Sequence, residues 1–181
     1  PKVSDLELTL CVLAWGGMNR SHGSKALCSW TEWGHIISKL RSANLTRSEA
    51  YELFAAVRSD GHLAGMGPAY FTKLIYFCHP NHDGYIMDQW TARSVNLLGI
   101  SPQIEMYNIA GKAGAQSMGV SDKNSLDTYE NFCSFVEALV AEVDEATSPS
   151  EIEEAMFSQG RGKGEGRNYV IAQASKTSDR Q

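Results

Sequence analysis

Helical spacing of apolar residues recurs along almost the whole chain, and it constrains the fold more than any other feature. One example follows Thr31, where apolar side chains return every three or four residues at Trp33, Ile36, Ile37 and Leu40. No alternation with a period of two is long enough to require a sheet. We therefore expect an all-α protein.

Local start signals divide this pattern into separate helices. Thr46 and Glu49 have the spacing of a capping box, in which each side chain bonds the other residue's backbone N–H, and so do Ser148 and Glu151. Asp88 can cap another helix, which runs to about residue 98. A long helix over about 125–146, with Val143 among its inward-facing residues, and a last helix ending near residue 157 complete the prediction.

Some stretches lack a clear pattern. Residues 3–15 are apolar enough for either a buried helix or a strand, and residues 16–23 form a polar, glycine-containing break. We expect a linker over about 110–124 and a flexible, glycine-rich basic tail over about 160–181. The length of 181 residues suits one domain or two small lobes sharing a core, and we expect a single domain over 1–181.

Composition excludes several classes of protein. Apolar residues make up 43% and charged residues 20%, which is ordinary for a globular chain and unlike a disordered acidic one. No apolar run is long enough to span a bilayer, and the first residues do not resemble a signal peptide. The cysteines, at positions 11, 28, 78 and 133, form no CxxC pair, so we expect them to be reduced.

The net charge of −5 at first argues against a nucleic-acid partner, which usually binds a basic protein. The charge is unevenly distributed, however. Residues 122–157 hold 10 acidic residues and one basic residue, whereas residues 1–121 hold 9 acidic and 10 basic residues. Residues 158–181 hold 2 acidic and 5 basic residues. The net charge therefore does not exclude a DNA-binding protein.

Two glycines separated by one residue, Gly65 and Gly67, lie between two predicted helices, and Pro68 suits the first position of the second helix. Glycines at this spacing allow the backbone to approach a ligand closely. The start of the following helix presents unbonded amides and the positive end of its dipole, which together can bind a phosphate. A plain turn between helices without a ligand is the alternative reading.

Two further residues carry possible chemistry. Lys73 lies within the apolar run Phe71–Phe77, where it either extends to solvent or serves as a nucleophilic amine. Asp88 lies 21 residues after Gly67, where it serves either as a helix cap or as a catalytic carboxylate.

The hairpin glycines and the 21-residue separation to Asp88 resemble the helix–hairpin–helix–GPD superfamily of DNA glycosylases, in particular its 8-oxoguanine branch. Residues 67–74 and 84–93 are similar to bacterial 8-oxoguanine DNA glycosylase-fold proteins, as are the short segments 15–18 and 157–161. The resemblance implies an all-α helix–hairpin–helix glycosylase fold, with the hairpin at about 47–77 and two helical lobes around a cleft. It also implies that the protein is a bacterial, cytoplasmic monomer without membrane contact. The expected partner is double-stranded DNA of the nucleoid that contains a modified base.

The resemblance assigns catalysis to Asp88 and Lys73, with one departure. The usual lysine lies two residues after the second hairpin glycine, and Ala69 occupies that position here. Lys73 is one helical turn further on, on the same face, from which it could still reach the sugar C1′ carbon. Schiff-base formation there would give AP-lyase activity. Otherwise Asp88 alone would activate water.

The remaining candidate residues fall into four groups. The predicted phosphate-binding amides are those of Gly65, Gly67 and Ala69. The base-pocket candidates are Trp15, Gly16, Gly17, Gln89 and Trp90. The predicted DNA contacts are Asn19, Arg20, His22 and Arg161. No cofactor is required, although a structural monovalent cation could bind the backbone carbonyls of Gly61, Leu63 and Met66.

Three alternatives stay open at this point. The enzyme could act on modified phage bases in defence instead of on 8-oxoguanine. The chain could be a non-enzymatic helix–hairpin–helix module that only binds DNA. It could also be a helical protein-interaction domain in which the hairpin is an ordinary turn.

Overall fold

The computed structural model describes residues 3–99, 103–109, 118–143, 148–157 and 165–178, which are mostly helical. The chain divides into two compact units, an N-terminal unit of Pro1–Ile86 and a C-terminal unit of Met87–Gln181. The expected all-α class is confirmed. Among the described helices, none combines the length and the apolar character that a membrane crossing requires.

The N-terminal unit is an assembly of helices around a central one. Its helices are α1 (Asp5–Trp15), α2 (Arg20–Leu27), α3 (Trp30–Arg41), α4 (Arg47–Ser59) and α5 (Pro68–Cys78). Helix α5 packs against α1, α3 and α4. Its Phe71 ring stacks on Phe54 of α4, with 5.5 Å between the centroids, and the Trp33 ring of α3 lies 6.2 Å from that of Phe54. These buried rings fill the centre of the unit.

Local signals explain where several of these helices begin. Ser4 caps α1 in a capping box with Glu7, so the stretch 3–15 forms a helix from Asp5 onward rather than a strand. The predicted box of Thr46 and Glu49 starts α4: the Glu49 N–H donates to the Thr46 hydroxyl, and the Thr46 N–H donates to the Glu49 carboxylate at 2.8 Å. The hydrogen bonds that the Thr46 N–H and hydroxyl donate to this carboxylate hold the pKa of Glu49 below its usual value. Pro68 occupies the first turn of α5 as predicted.

The predicted break over residues 16–23 is wrong in its second half, because α2 begins at Arg20. The Asn19 side chain caps this helix by accepting the N–H of His22 at 2.9 Å. Only Ala26 of α2 is fully buried, so the segment lacks the apolar stripe by which the other helices are recognised.

The C-terminal unit is also mainly helical. Its elements are α6 (Gln89–Leu98), β1 (Met106–Asn108), β2 (Met118–Val120), α7 (Leu126–Leu139), a 3-10 turn (Val140–Glu142), α8 (Pro149–Phe157) and α9 (Glu165–Ser178). Strands β1 and β2 pair antiparallel, with Tyr107 opposite Gly119. Helix α6 packs against α8 and α9, and α7 packs against α8. The predicted box of Ser148 and Glu151 starts α8.

Three predictions for this unit are corrected. Strand β2 lies in what we expected to be a linker, since three-residue strands are too short to show an alternating pattern. The α-helical part of α7 ends at Leu139, and Val143 is 43% exposed rather than inside. Residues 165–178 of the expected flexible tail form α9.

The cysteines agree with a reduced protein. All four are free thiols, with Cys11 and Cys28 exposed and Cys78 and Cys133 buried. Burial raises the pKa of the Cys78 thiol to about 12, so this group stays protonated and unreactive at neutral pH.

Replacing Phe54 tests whether the aromatic centre stabilises the N-terminal unit. We expect Phe54→Ala to lower the free energy of unfolding by about 3–5 kcal/mol, because its ring is fully buried against two others. Leu10→Ala removes an apolar side chain that is 44% exposed and should change stability by no more than about 0.5 kcal/mol. Urea unfolding measures both, and equal losses would contradict this account of the core.

Candidate functional site

The predicted hairpin is present between α4 and α5. Gly61 and Gly65 both have a φ of +84°, in the left-handed region that favours glycine. Gly67 is extended and precedes α5, and its carbonyl accepts the N–H groups of Tyr70 and Phe71 at 2.9 and 3.1 Å. The chain therefore leaves α4, turns through the glycines and enters α5 within eight residues, 60–67.

The start of α5 has the properties expected of an anion site. Pro68 has no N–H, so the Ala69 amide is the first that the helix itself can present outward. The positive end of the helix dipole lies at the same place. Gly65, Gly67 and Ala69 are close together in sequence around this turn, and their contact with a DNA phosphate stays a prediction.

The hairpin lies against the first turn of α2. A Cβ atom built on Gly65 would lie 2.9 Å from the His22 carbonyl oxygen and 3.0 Å from its Cα, closer than real Cβ atoms approach. The predicted DNA-contact residues Asn19, Arg20 and His22 are all exposed on this turn. The structure therefore brings them next to the hairpin, although the Asn19 side chain is engaged in capping α2.

The predicted cation site does not match the arrangement of the Leu63 carbonyl. That oxygen accepts a hydrogen bond from Nη1 of Arg58 at 2.6 Å and another from the Met66 N–H at 3.2 Å. These two bonds use both lone pairs of the carbonyl. The Arg58 guanidinium also brings a positive charge to the place where an ion would lie. A monovalent cation at Gly61, Leu63 and Met66 stays a prediction that this geometry does not favour.

Lys73 is buried within α5, with only 4% of its surface exposed. Its Nζ donates a hydrogen bond to the Ala69 carbonyl oxygen at 2.7 Å and lies 5.7 Å from the centre of the Tyr70 ring. A helical side chain leans toward the preceding turn, which explains this direction. The amine of Lys73 therefore lies beside residue 69, the position at which the resembled enzymes carry their lysine.

The end of α1 meets Lys73. A Cβ on Gly16 would lie 3.0 Å from Cδ and 3.3 Å from Cε of Lys73, so the glycine leaves room for the lysine stem. Trp15 is 50% exposed, and its ring meets that of Phe77 edge-on at 4.7 Å. Gly17 has a φ of +74° and open space beside it. The structure therefore places Gly16, one of the base-pocket candidates, against Lys73.

Asp88 begins α6 in the C-terminal unit and is 8% exposed. Its Oδ1 accepts the N–H groups of Trp90 and Thr91 at 2.8 and 3.4 Å, and its own N–H donates to the Thr91 hydroxyl at 3.0 Å. The carboxylate is thus held at the positive end of a helix by backbone donors. The predicted cap is confirmed, and the catalytic role stays a prediction.

Trp90 is buried, and two cationic side chains that the sequence did not indicate contact its ring. The guanidinium carbons of Arg93 and Arg167 lie 5.2 and 4.5 Å from its ring centre. Arg167 of α9 also donates to the Phe157 carbonyl oxygen through Nε and Nη2. The helical spacing of Arg93 from Trp90 could have predicted their contact. No local pattern predicts the contact between Arg167 and Trp90. Arg161 lies outside the described residues.

The two hairpin glycines with positive φ provide a matched pair of variants. We expect Gly61→Ala to lower the free energy of unfolding by about 1–2 kcal/mol, the cost of left-handed backbone for a residue with a Cβ. Gly65→Ala should lower it by about 1–3 kcal/mol more, because it adds a clash with the His22 backbone. Denaturant titration of both variants measures the difference, and identical losses would show that α2 does not press on the hairpin.

Comparison with known proteins agrees with this geometry. Residues 3–157 match the family described as "OGG: Putative 8-oxoguanine DNA glycosylase OGG-like protein". No curated protein and no solved structure matches the chain. The match includes the hairpin, Lys73 and Asp88 and extends over most of both units. The chain therefore belongs to the OGG-like 8-oxoguanine DNA glycosylase family.

Proposed function

We propose that this protein is a DNA glycosylase that extrudes a modified base, with 8-oxoguanine as the first substrate to test, and cleaves its N-glycosidic bond. The observation that carries the proposal is the position of the Lys73 amine, 2.7 Å from the Ala69 carbonyl oxygen. Position 69 is alanine in this chain, where the resembled enzymes carry their nucleophilic lysine. Lys73 places an amine at the same turn of the helix.

Lys73 acts as the nucleophile in this proposal. Its neutral amine attacks C1′ of the extruded nucleotide while the bond from C1′ to the base nitrogen breaks and the base leaves with the electron pair. Loss of a proton from the amine and opening of the sugar ring then give a Schiff base, from which β-elimination cleaves the strand. The apolar surroundings of α5, including Phe71 and Leu74, support an amine held away from bulk water.

Asp88 stabilises the positive charge that develops on the sugar and assists deprotonation of the attacking group. This role is supported by the position of the Asp88 carboxylate at the start of α6, where two backbone N–H groups donate to one of its oxygens. The amides of Gly65, Gly67 and Ala69 hold a phosphate of the same strand, because these residues lie at or next to the N-terminal end of α5, where the helix dipole is positive.

A duplex that carries 8-oxoguanine, treated with borohydride, tests this mechanism. We expect the wild-type protein to form a covalent adduct and Lys73→Ala to abolish it, because borohydride traps only a Schiff base. Asp88→Asn should lower base release by about 10²–10⁴-fold, since asparagine keeps the helix cap but not the charge. Lys39→Ala removes an exposed lysine of α3 and should form the adduct normally.

The outcomes of this assay separate the alternatives. Base release that survives in Lys73→Ala but not in Asp88→Asn contradicts the lysine nucleophile and indicates activation of water. Duplexes with uracil or hypermodified cytosine show whether another base, such as a modified phage base, is the substrate. Binding without base release from any duplex would contradict the enzyme and leave a DNA-binding module.

Gly16 should affect the same reaction through Lys73. We expect Gly16→Ala to reduce the rate of adduct formation by at least about tenfold, because its methyl group would press on the lysine stem and displace the amine. Gly23→Ala in α2 is the control, since a Cβ built there would make only an ordinary contact with the Met18 side chain at 3.6 Å. Single-turnover trapping and thermal unfolding, measured together, test this expectation. An unchanged trapping rate in folded Gly16→Ala would contradict the placement of Lys73.

A further inference from the structure

A surface pocket lies at the end of α5 that is opposite the hairpin. Its volume is about 360 Å³, which is the size of a small-molecule site rather than of a single ion. The turn after α3 (residues 43–46), Glu49 of α4 and the turn after α5 (residues 79–83) form its walls. All of these residues belong to the N-terminal unit.

His79 has a ring nitrogen that the fold does not use. Its Nδ1 accepts the backbone N–H groups of Asn81 and Asp83, both at 3.3 Å, so the neutral ring carries its hydrogen on Nε2. Among the described residues, no group accepts a hydrogen bond from Nε2.

The same nitrogen is open to the pocket. His79 lines the pocket and is only 7% exposed, and Nε2 is not one of the side-chain atoms that the protein encloses completely. Its remaining surface therefore faces the pocket. Buried polar groups are nearly always hydrogen-bonded, so this donor indicates an occupant that carries an acceptor.

Two carboxylates give the pocket a negative charge. Glu49 uses Oε2 to accept the N–H and the hydroxyl of Thr46, and these bonds keep its pKa low, so it is ionised at neutral pH. Asp83 accepts the Arg47 N–H through Oδ2, while its Oδ1 lies 3.9 Å from Nη1 of Arg47. Helices α3 and α5 both end at this pocket, and the C-terminal end of a helix is the negative one.

Anions and metal ions do not fit these surroundings. The start of α4 is already occupied, because its Arg47 N–H donates to Asp83 and its Glu49 N–H donates to the Thr46 hydroxyl. Within the described part of the chain, no group of three His, Cys, Asp or Glu side chains is arranged to hold a metal ion. The charge and size of the pocket therefore favour an organic cation.

We propose that this pocket binds a small hydroxylated primary amine, the chemical class of amino alcohols. Its ammonium group donates to the carboxylates of Glu49 and Asp83. One of its hydroxyl groups accepts from Nε2 of His79. A hydroxyl suits this position better than a carboxylate would, because the two acidic side chains repel an anion. The site is separate from the hairpin and does not depend on glycosylase activity.

D-Glucamine and D-sorbitol are the matched probes, because they differ only in an ammonium or a hydroxyl group at one terminal carbon. Titration calorimetry at pH 7 on the whole protein should show glucamine binding at least about tenfold more tightly, the usual effect of a charge-assisted hydrogen bond. Equal affinities, or no saturable binding of glucamine, would overturn the proposal.

Glu49→Gln tests the origin of this preference. Glutamine keeps the capping box but lacks the charge, so the affinity for glucamine should fall by about tenfold while that for sorbitol stays the same. Glu7→Gln makes the same change in the capping box of α1 and should alter neither affinity. A preference for glucamine that survives in Glu49→Gln would overturn the proposal.

His79→Asn tests the donor. Asparagine offers a carbonyl oxygen in place of Nδ1 for the two N–H groups of the turn, but it has no group at the position of Nε2. The affinities for both probes should fall by about threefold to tenfold, the effect of one neutral hydrogen bond. Thermal unfolding, measured in parallel, verifies that the variant is folded. Unchanged affinities in folded His79→Asn would overturn the proposal.

Discussion

Burial of α5 is the constraint on which the N-terminal unit depends. The helix is surrounded by α1, α3 and α4, and its Phe71, Leu74 and Ile75 side chains are fully or almost fully buried. Rotation about the helix axis would expose these side chains, so packing fixes which way every other residue of α5 points. Lys73 is placed by this requirement: its stem lies beside Gly16, and its amine turns back along its own helix to the Ala69 carbonyl oxygen.

The same principle operates in the C-terminal unit with polar groups in place of apolar ones. Asp88 fixes the start of α6 by accepting two backbone N–H groups, and the face that begins with Gln89 follows from that start. In both units, the candidate residues therefore lie at the start or in the first two turns of a helix. A shift of one residue in either helix start would move all of them together.

Several features that depend on neighbouring residues were predictable from the sequence, although the Ser4 box and the Asn19 cap were not predicted. Features that depend on distant residues were not predictable. The boxes at Thr46 and Ser148 and the cap at Asp88 need only residues within three positions, and the structure contains all three. Helix α2 was missed because only Ala26 is fully buried in it.

The same distinction applies to the candidate site. The glycine hairpin and the position of Lys73 on α5 follow from spacing along one stretch of chain. The contact between Gly65 and His22 joins residues 43 positions apart, and that between Trp90 and Arg167 joins residues 77 apart. No periodic pattern in the sequence predicts contacts between residues so far apart along the chain. The lack of a hydrogen-bond partner for Arg93 among the described residues is equally invisible in the sequence, since it is a property of everything that packs around the side chain.

The contact between the hairpin and α2 has a consequence for how this protein can diversify. The two closest atoms of His22 are its carbonyl oxygen and its Cα, which every amino acid possesses. A junction made through main-chain atoms tolerates almost any side chain on the α2 partner, while it permits only glycine on the hairpin partner. Exposed positions of α2 can therefore change during evolution without moving the hairpin, in the way that variable loops change on a fixed scaffold.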